Sequence, residues 1–170
     1  MTSPACYEPM LIDLIPTEAI ADIYYKLEEE NSLHNLFIEN DCPTVLDFIA
    51  LVQSPLNNFY AVLDKASKDL VAIFWVNGKT AISMTIHTAF FKQYFGKAVE
   101  VSKQVLPWVF KTYGEIETLL CIVPVTNRIA TSFVKRVGWN KVGRIPNFMD
   151  AFKQDKIVDG MVYYISKDEV

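Results

Sequence analysis

The sequence predicts an α/β (α+β) domain. Its core is a mixed, mostly antiparallel sheet of about seven strands with helices on both faces. Three observations predict it. Segments of period two and period 3.6 alternate in the order β-α-α-β-β-β-α-β-α-β-β. Two turn signals, Lys65 to Lys68 and Asn77-Gly78, link three successive strands into an antiparallel meander. A long strand, a helix and another strand between Thr80 and Val123 form a right-handed parallel crossover. No repeat, linker or low-complexity tract divides the chain, so residues 1–170 read as one domain.

Met10 to Ile15 reads as the first strand, ended by Pro16, and Thr17 as the N-cap of a helix carried by Ile20, Ile23, Tyr24 and Leu27. Pro43 and Thr44 open a second helix with Val45, Phe48, Ile49 and Val52 inward. Phe59 to Leu63, Leu70 to Val76 and Thr80 to Phe90 are the meander strands. The helix after Gly96 turns Val101, Val105 and Val109 to one side, and Pro107 predicts a bend or an early end. Ile116 to Val123 is a buried strand stopped by Pro124. Thr126 reads as the cap of a last helix with Ile129, Ala130, Phe133 and Val137 inward and Gly138 at its C-terminus. Trp139 to Arg144 and Val158 to Ser166 complete the sheet.

Composition removes several function classes. Apolar residues make up 51% of the chain, enough for a sizeable core, and charged residues only 21%, too few for a disordered chain. The net charge of -4 and the absence of a basic stripe argue against nucleic acid. Three separated cysteines, Cys6, Cys42 and Cys121, suit a reducing compartment, and with no C-x-x-C and only two histidines no metal site is expected. The N-terminus lacks a basic start followed by an apolar run, and no segment is long enough to span a bilayer. The expectation is a cytoplasmic protein, monomer or homodimer, without a membrane partner.

The motif richest in information is Gln93-Tyr94-Phe95-Gly96-Lys97-Ala98, a Q-x-x-G-x-A spacing where the long strand gives way to a helix. At such a junction backbone N–H groups and the helix dipole can converge on one anion, and a pyrophosphate fits. Gly96 is read as permitting a sharp turn and close ligand approach. Downstream come Asn127-Arg128-x-Ala130, Val137-Gly138-Trp139, Val142-Gly143-Arg144 and Asp159-Gly160-Met161-Val162-Tyr163-Tyr164.

Together these resemble the GCN5-related N-acetyltransferases, sharply from about Thr80 onward, with a style similar to enzymes of ribosomal-protein and other N-termini and to phage-encoded members. The resemblance implies a parallel strand pair that splays apart and holds acetyl-CoA. It assigns cofactor contacts to Thr88, Phe90, Gln93, Tyr94, Phe95, Gly96, Lys97, Ala98, Asn127 and Phe133. It also implies an acceptor bearing a primary amine, either a small molecule or a protein. Gln93 stands where Arg is commoner, with Lys92 and Lys97 nearby to compensate. Phe133 stands where many members carry a Tyr that protonates the departing thiolate.

The chemistry needs a deprotonated amine, a donor for the thioester oxygen and alignment of both reactants. On the long strand, Ile82, Met84 and Ile86 form an apolar face, while Ala81, Ser83, Thr85 and His87 form a small, polar one that lines the acceptor groove. His87 is the candidate catalytic base, with an ordinary pKa of about 6.5. Glu39 and Asp41 are candidates to attract a cationic amine, and Cys121 reads as an inert core residue. Two functions remain: direct acetyl transfer without an acyl-enzyme, or a fold of this type kept as a binding or assembly module.

Overall fold

Phe59 and Tyr60 are neighbours on one strand, and their side chains point to opposite faces of the sheet. Each meets aromatic residues of a different helical layer, which fixes the architecture. The computed structural model of the chain describes residues 6–12, 15–39 and 42–170. Within them the elements are β1 (Tyr7–Leu11), α1 (Thr17–Glu29), α2 (Leu33–Leu36), α3 (Val45–Val52), β2 (Asn58–Asp64), β3 (Leu70–Asn77) and β4 (Ser83–Phe90). A 3-10 helix (Lys92–Lys97) then leads into α4 (Ala98–Thr112), β5 (Thr118–Pro124), α5 (Arg128–Val137), β6 (Asn140–Ala151) and β7 (Lys156–Ser166).

The sheet has the order β1-β2-β3-β4-β5-β7-β6, antiparallel except between β4 and β5. On one face Phe59 packs against Phe48 of α3, which meets Tyr24 of α1. On the other, Tyr60 and Phe74 pack against Trp108 of α4, beside which α5 lies. Both faces are therefore covered, and the central strands β2 and β3 are apolar almost throughout.

Several boundaries differ from the sequence expectation, each for a local reason. β1 starts at Tyr7, which is 5% exposed, instead of at Met10, and accepts Pro9 because an edge strand pairs on one side only. Helix α1 is capped by the backbone of Pro16, whose carbonyl accepts from Ala19 and Ile20, and not by the Thr17 side chain. Asn77-Gly78 does not make a two-residue hairpin. Thr80 forms its own turn by accepting from Ser83 N–H, and the connection spans residues 78–82. Ile82 is thereby left exposed, so the buried face of β4 begins at Met84.

Helix α4 passes through Pro107 to Thr112, because burial of Val101, Val105, Leu106, Val109 and Phe110 outweighs the missing hydrogen bond. Asn127, not Thr126, caps α5 by accepting from Ala130 N–H at 3.0 Å. Ile129 lies on the exposed side of that helix. Gly138 ends it at φ 112°, a conformation suited to glycine.

The last hairpin is longer than its side-chain pattern suggests. β6 continues to Ala151 across a bulge at residues 146–148, where Asn147 adopts φ 51°. Asp159 of β7 holds this bulge by accepting from Asn147 N–H at 2.9 Å and pairing with Arg144. Both contacts, the amide bond foremost, keep its carboxyl below the usual range. The bulge turns Phe148 over Gly160, where an added Cβ would lie 2.8 Å from both Phe148 Cδ1 and Ile122 Cγ2. Gly160→Ala is expected to destabilise the fold by roughly 1–3 kcal/mol through overpacking. Chemical denaturation measures this, and an unchanged midpoint would mean that Phe148 is not held against the sheet.

Candidate active site

Strands β4 and β5 pair over only Ser83 with Thr118, Met84 with Leu119 and Thr85 with Leu120. Beyond that, β4 stays with β3 to Phe90 and β5 stays with β7 to Pro124, so the two diverge inside the sheet. The antiparallel ladders identify the backbone groups this leaves open. Phe91 donates to the carbonyl of Val71, and Val125 to that of Asp159. Residues of an antiparallel strand alternate between facing the partner and facing away. In register, Thr88 and Phe90 therefore face away from β3, and Ile122 faces away from β7. Their N–H and C=O groups border the gap from its two sides.

The gap opens into a cleft of about 420 Å³. Its walls include Val101, Ser102 and Val105 of α4, Ala130 and Phe133 of α5, and Phe148 and Met149 of the hairpin. Phe90 and Phe133 meet edge to face across it at 5.4 Å. At the far end the hairpin is tied to the segment before α3, where Phe152 N–H donates to the carbonyl of Ile38 at 3.1 Å and Asp150 N–H approaches Glu39 Oε1 at 3.4 Å. Glu39 is the one carboxylate among the described residues lining this cleft. Asp41, the other candidate carboxylate, lies outside the described residues.

Of the residues singled out in the sequence, His87, Thr88, Phe90, Asn127 and Phe133 line the cleft together. Gln93, Tyr94, Phe95, Gly96, Lys97 and Ala98 do not. They form the 3-10 helix and the first residue of α4, just beyond the diverging end of β4. Gln93, Phe95, Gly96 and Lys97 are exposed there. Tyr94 is buried, its hydroxyl donating to Asp69 at 3.0 Å.

The loop amides are less open than the spacing suggests. Lys92 N–H donates to Glu30 Oε2 at 2.8 Å, Tyr94 N–H to the Phe91 carbonyl, and Ala98 N–H to that of Phe95. Gly96 makes no left-handed turn, so the sharp turn expected of it is absent; a Cβ there would meet no atom within 4 Å. What glycine contributes at this position is open space above the backbone.

His87 sits at the other end. Its ring stacks on Trp75 at 4.6 Å and 7°, and Trp75 stacks on Phe59 at 4.8 Å and 10°. The three are cross-strand partners on β2, β3 and β4. Burial pushes the His87 pKa down to about 4, below the ordinary value on which its reading as a base rested. Burial also pushes the Cys121 thiol up to about 12, which agrees with an inert core residue. Sequence reasoning missed Trp75 as a platform, Phe148 as part of the wall and Asn77 as the partner of His87 Nε2 at 3.3 Å. Asn77 looked like a turn residue, and nothing local signals the register that sets it beside His87.

No family model matches the sequence, and no curated protein sequence does. Solved structures do match. Spermidine N-acetyltransferase from Vibrio cholerae, in complex with CoA and spermine, superposes with a TM-score of 0.78 at 13% identity over 96% of this chain and 97% of that one. An acetyltransferase from Salmonella typhimurium that modifies the N-terminal serine of ribosomal protein L7/L12 gives 0.76 at 11% identity over 96% of each chain. Ribosomal-protein-S5-alanine acetyltransferase from Vibrio fischeri gives 0.69 at 14% identity over 99% and 97%. The chain has the fold of the GCN5-related N-acetyltransferases. The seven-stranded sheet, the parallel pair and its divergence are thus those the resemblance implied.

The half-buried imidazole makes stability depend on pH. The unfolded chain binds a proton at His87 below about 6.5, while the folded chain binds one only below about 4. Stability from this group is complete above the higher value and is lost as pH falls through the lower one. At about 1.4 kcal/mol per pKa unit, the loss is at most on the order of 3 kcal/mol. Urea titrations from pH 7 to pH 4 are expected to show a shallower decline for His87→Gln than for the wild type. Parallel declines would show that the folded His87 titrates normally.

Proposed function

We propose that the protein is an acyl-CoA N-acyltransferase that moves an acetyl group from acetyl-CoA to a primary amine by direct attack. The observation that carries this reading is the divergence of β4 from β5, which leaves backbone donors and acceptors of Thr88, Phe90 and Ile122 bordering one cleft. Unpaired strand edges recruit an extended polar chain as an added strand. The pantetheine arm, with two amides in line, fits that demand. Acetyl-CoA supplies an activated acyl carbonyl and a thiolate leaving group. The adjoining loop supports the diphosphate end: Lys92 and Lys97 bring positive charge, Gly96 leaves room above the backbone, and α4 begins there.

Phe90, Phe133 and Ala130 exclude water around the acyl end. Phe133 has no proton to give, so the thiolate departs as the anion. Asn127 spends its carbonyl oxygen on the α5 cap and keeps its NH₂ group for the ligand. At the acceptor end Glu39 attracts an ammonium group, solvent water takes its first proton, and His87 accepts a hydrogen bond from the resulting neutral nitrogen. A base of pKa about 4 cannot strip an ammonium ion. It suffices for the second proton, because the nitrogen becomes strongly acidic once bonded to the acyl carbon. The similar structures act on spermidine and on ribosomal-protein N-termini, and a single carboxylate beside a mixed aromatic and polar end suits either a polyamine or a protein N-terminus. A cytoplasmic setting agrees with three widely separated cysteines, Cys6, Cys42 and Cys121.

Acetyl-CoA at 100 times its Kd is expected to stabilise the protein by about 2.7 kcal/mol. CoA release on spermidine and on Ala- or Ser-initiated peptides tests turnover. A thermal shift without CoA release on any amine would leave the assembly reading in place. Gly96→Val separates binding from folding, because a Cβ added there meets no atom within 4 Å. It is expected to leave the unliganded Tm unchanged and to weaken acetyl-CoA by about tenfold or more. Unaltered affinity would remove the loop from the site. His87→Ala is expected to lower kcat and change its pH profile, and an unchanged profile would remove His87 from the chemistry.

A further inference from the structure

A hydrogen-bond chain begins at a backbone carbonyl on α3 and ends on the His87 ring. Asn57 Nδ2 donates to the Leu51 carbonyl at 3.1 Å. Asn77 Nδ2 donates to Asn57 Oδ1 at 3.2 Å. Asn77 Oδ1 lies 3.3 Å from His87 Nε2. A carbonyl can only accept, and this fixes the direction of every later link. Reversing Asn57 would set its oxygen against the Leu51 oxygen. Asn57 must therefore present its oxygen to Asn77, and Asn77 must present its oxygen to His87. An imidazole nitrogen facing that oxygen has to carry a hydrogen.

We propose that the chain Leu51–Asn57–Asn77 locks His87 as the Nε2–H tautomer and turns its Nδ1 lone pair to the cleft, as the acceptor for a neutral N–H donor. Asn57 and Asn77 are then positioning residues that act through His87. Three constraints converge on the ring. Its face is pinned on Trp75, its Nε2 edge is held by Asn77, and its remaining nitrogen has no hydrogen bond. Among the described residues no buried side-chain nitrogen or oxygen lacks a partner. Nδ1 is therefore not sealed in the core, and His87 lines the cleft. The depressed basicity of the ring agrees, because no charged group touches it: Asn77, Trp75 and Thr85 of β3 and β4 are neutral, and Glu39 is the one carboxylate on the cleft wall.

The acceptor chemistry follows. A lone pair on a neutral ring recognises an uncharged amine N–H and directs the nitrogen's own lone pair elsewhere. The part of the inference that names an amine rests on the acyltransfer reading, whereas the tautomer does not.

The test is ¹⁵N NMR of the imidazoles in the full-length protein at pH 7. The sequence has only two histidines, so His87→Gln assigns the spectrum by subtraction. The expected spectrum shows His87 Nε2 protonated and Nδ1 unprotonated. A protonated Nδ1, or a charged ring, in the wild-type spectrum overturns the proposal. Asn77→Leu is expected to release the ring into a tautomer mixture and lower kcat by about tenfold, with KM for acetyl-CoA unchanged. Asn77→Asp is expected to retain Nε2–H and raise the pH at which His87 titrates, because a carboxylate favours the charged ring. A tautomer unmoved by Asn77→Leu overturns the positioning role. If the wild-type tautomer is as expected and no amine is acetylated, the acyltransfer reading fails and the tautomer assignment stands.

Discussion

Backbone groups need partners, and the diverging strands are where this sheet leaves the need unmet. β4 is held on one side by β3 along its whole length, and β5 by β7 along its own, while only the first residues of each pair with one another. Two well-anchored half-sheets therefore separate as they run past α4 and α5. The polar groups of Thr88, Phe90 and Ile122 are left facing a space walled by apolar residues. Burying such groups without partners costs more than one hydrogen bond returns. The cheapest completion is a ligand that carries alternating donors and acceptors in extended form.

The same divided sheet sets both ends of the cleft. Where β4 ends, the chain must turn immediately into α4, so the loop rich in lysine lies at the open end. Where β4 still pairs with β3, side chains rather than backbone line the cleft. There Phe59, Trp75 and His87 stack across three strands because the ladders hold them in one row. The lid over this end comes from the β6–β7 hairpin. Asp159 grips the bulge of β6, the bulge tips Phe148 onto Gly160, and residues 150–152 reach the segment before α3. A single close approach, possible only over a glycine, thus couples hairpin geometry to pocket shape.

Much of this was legible before folding. The apolar runs of β2 and β3, the Thr44 start of α3 and the Gly138 stop of α5 rest on neighbours a few residues apart, and the crossover between β4 and β5 rests on the order of the elements. His87, Thr88, Phe90, Asn127 and Phe133 were legible as neighbours, and they line one cleft, because a parallel crossover brings strand end and helix start together. The misread boundaries share a cause. Tyr7, Pro16, Thr80 and Pro107 take their conformations from distant burial or from a neighbouring backbone group, and local propensity is too weak to resist.

The amino-acid order alone determined the layers, the strand sequence and the chemical character of each wall, because periodicity and turn chemistry act over short range. Tertiary structure alone decided the protonation and the neighbours of His87. Those depend on register across β3 and on a carbonyl of α3, groups 10 and 36 positions away along the chain at Asn77 and Leu51. Desolvation and hydrogen-bond direction are properties of a folded interior, and no stretch of sequence carries them by itself.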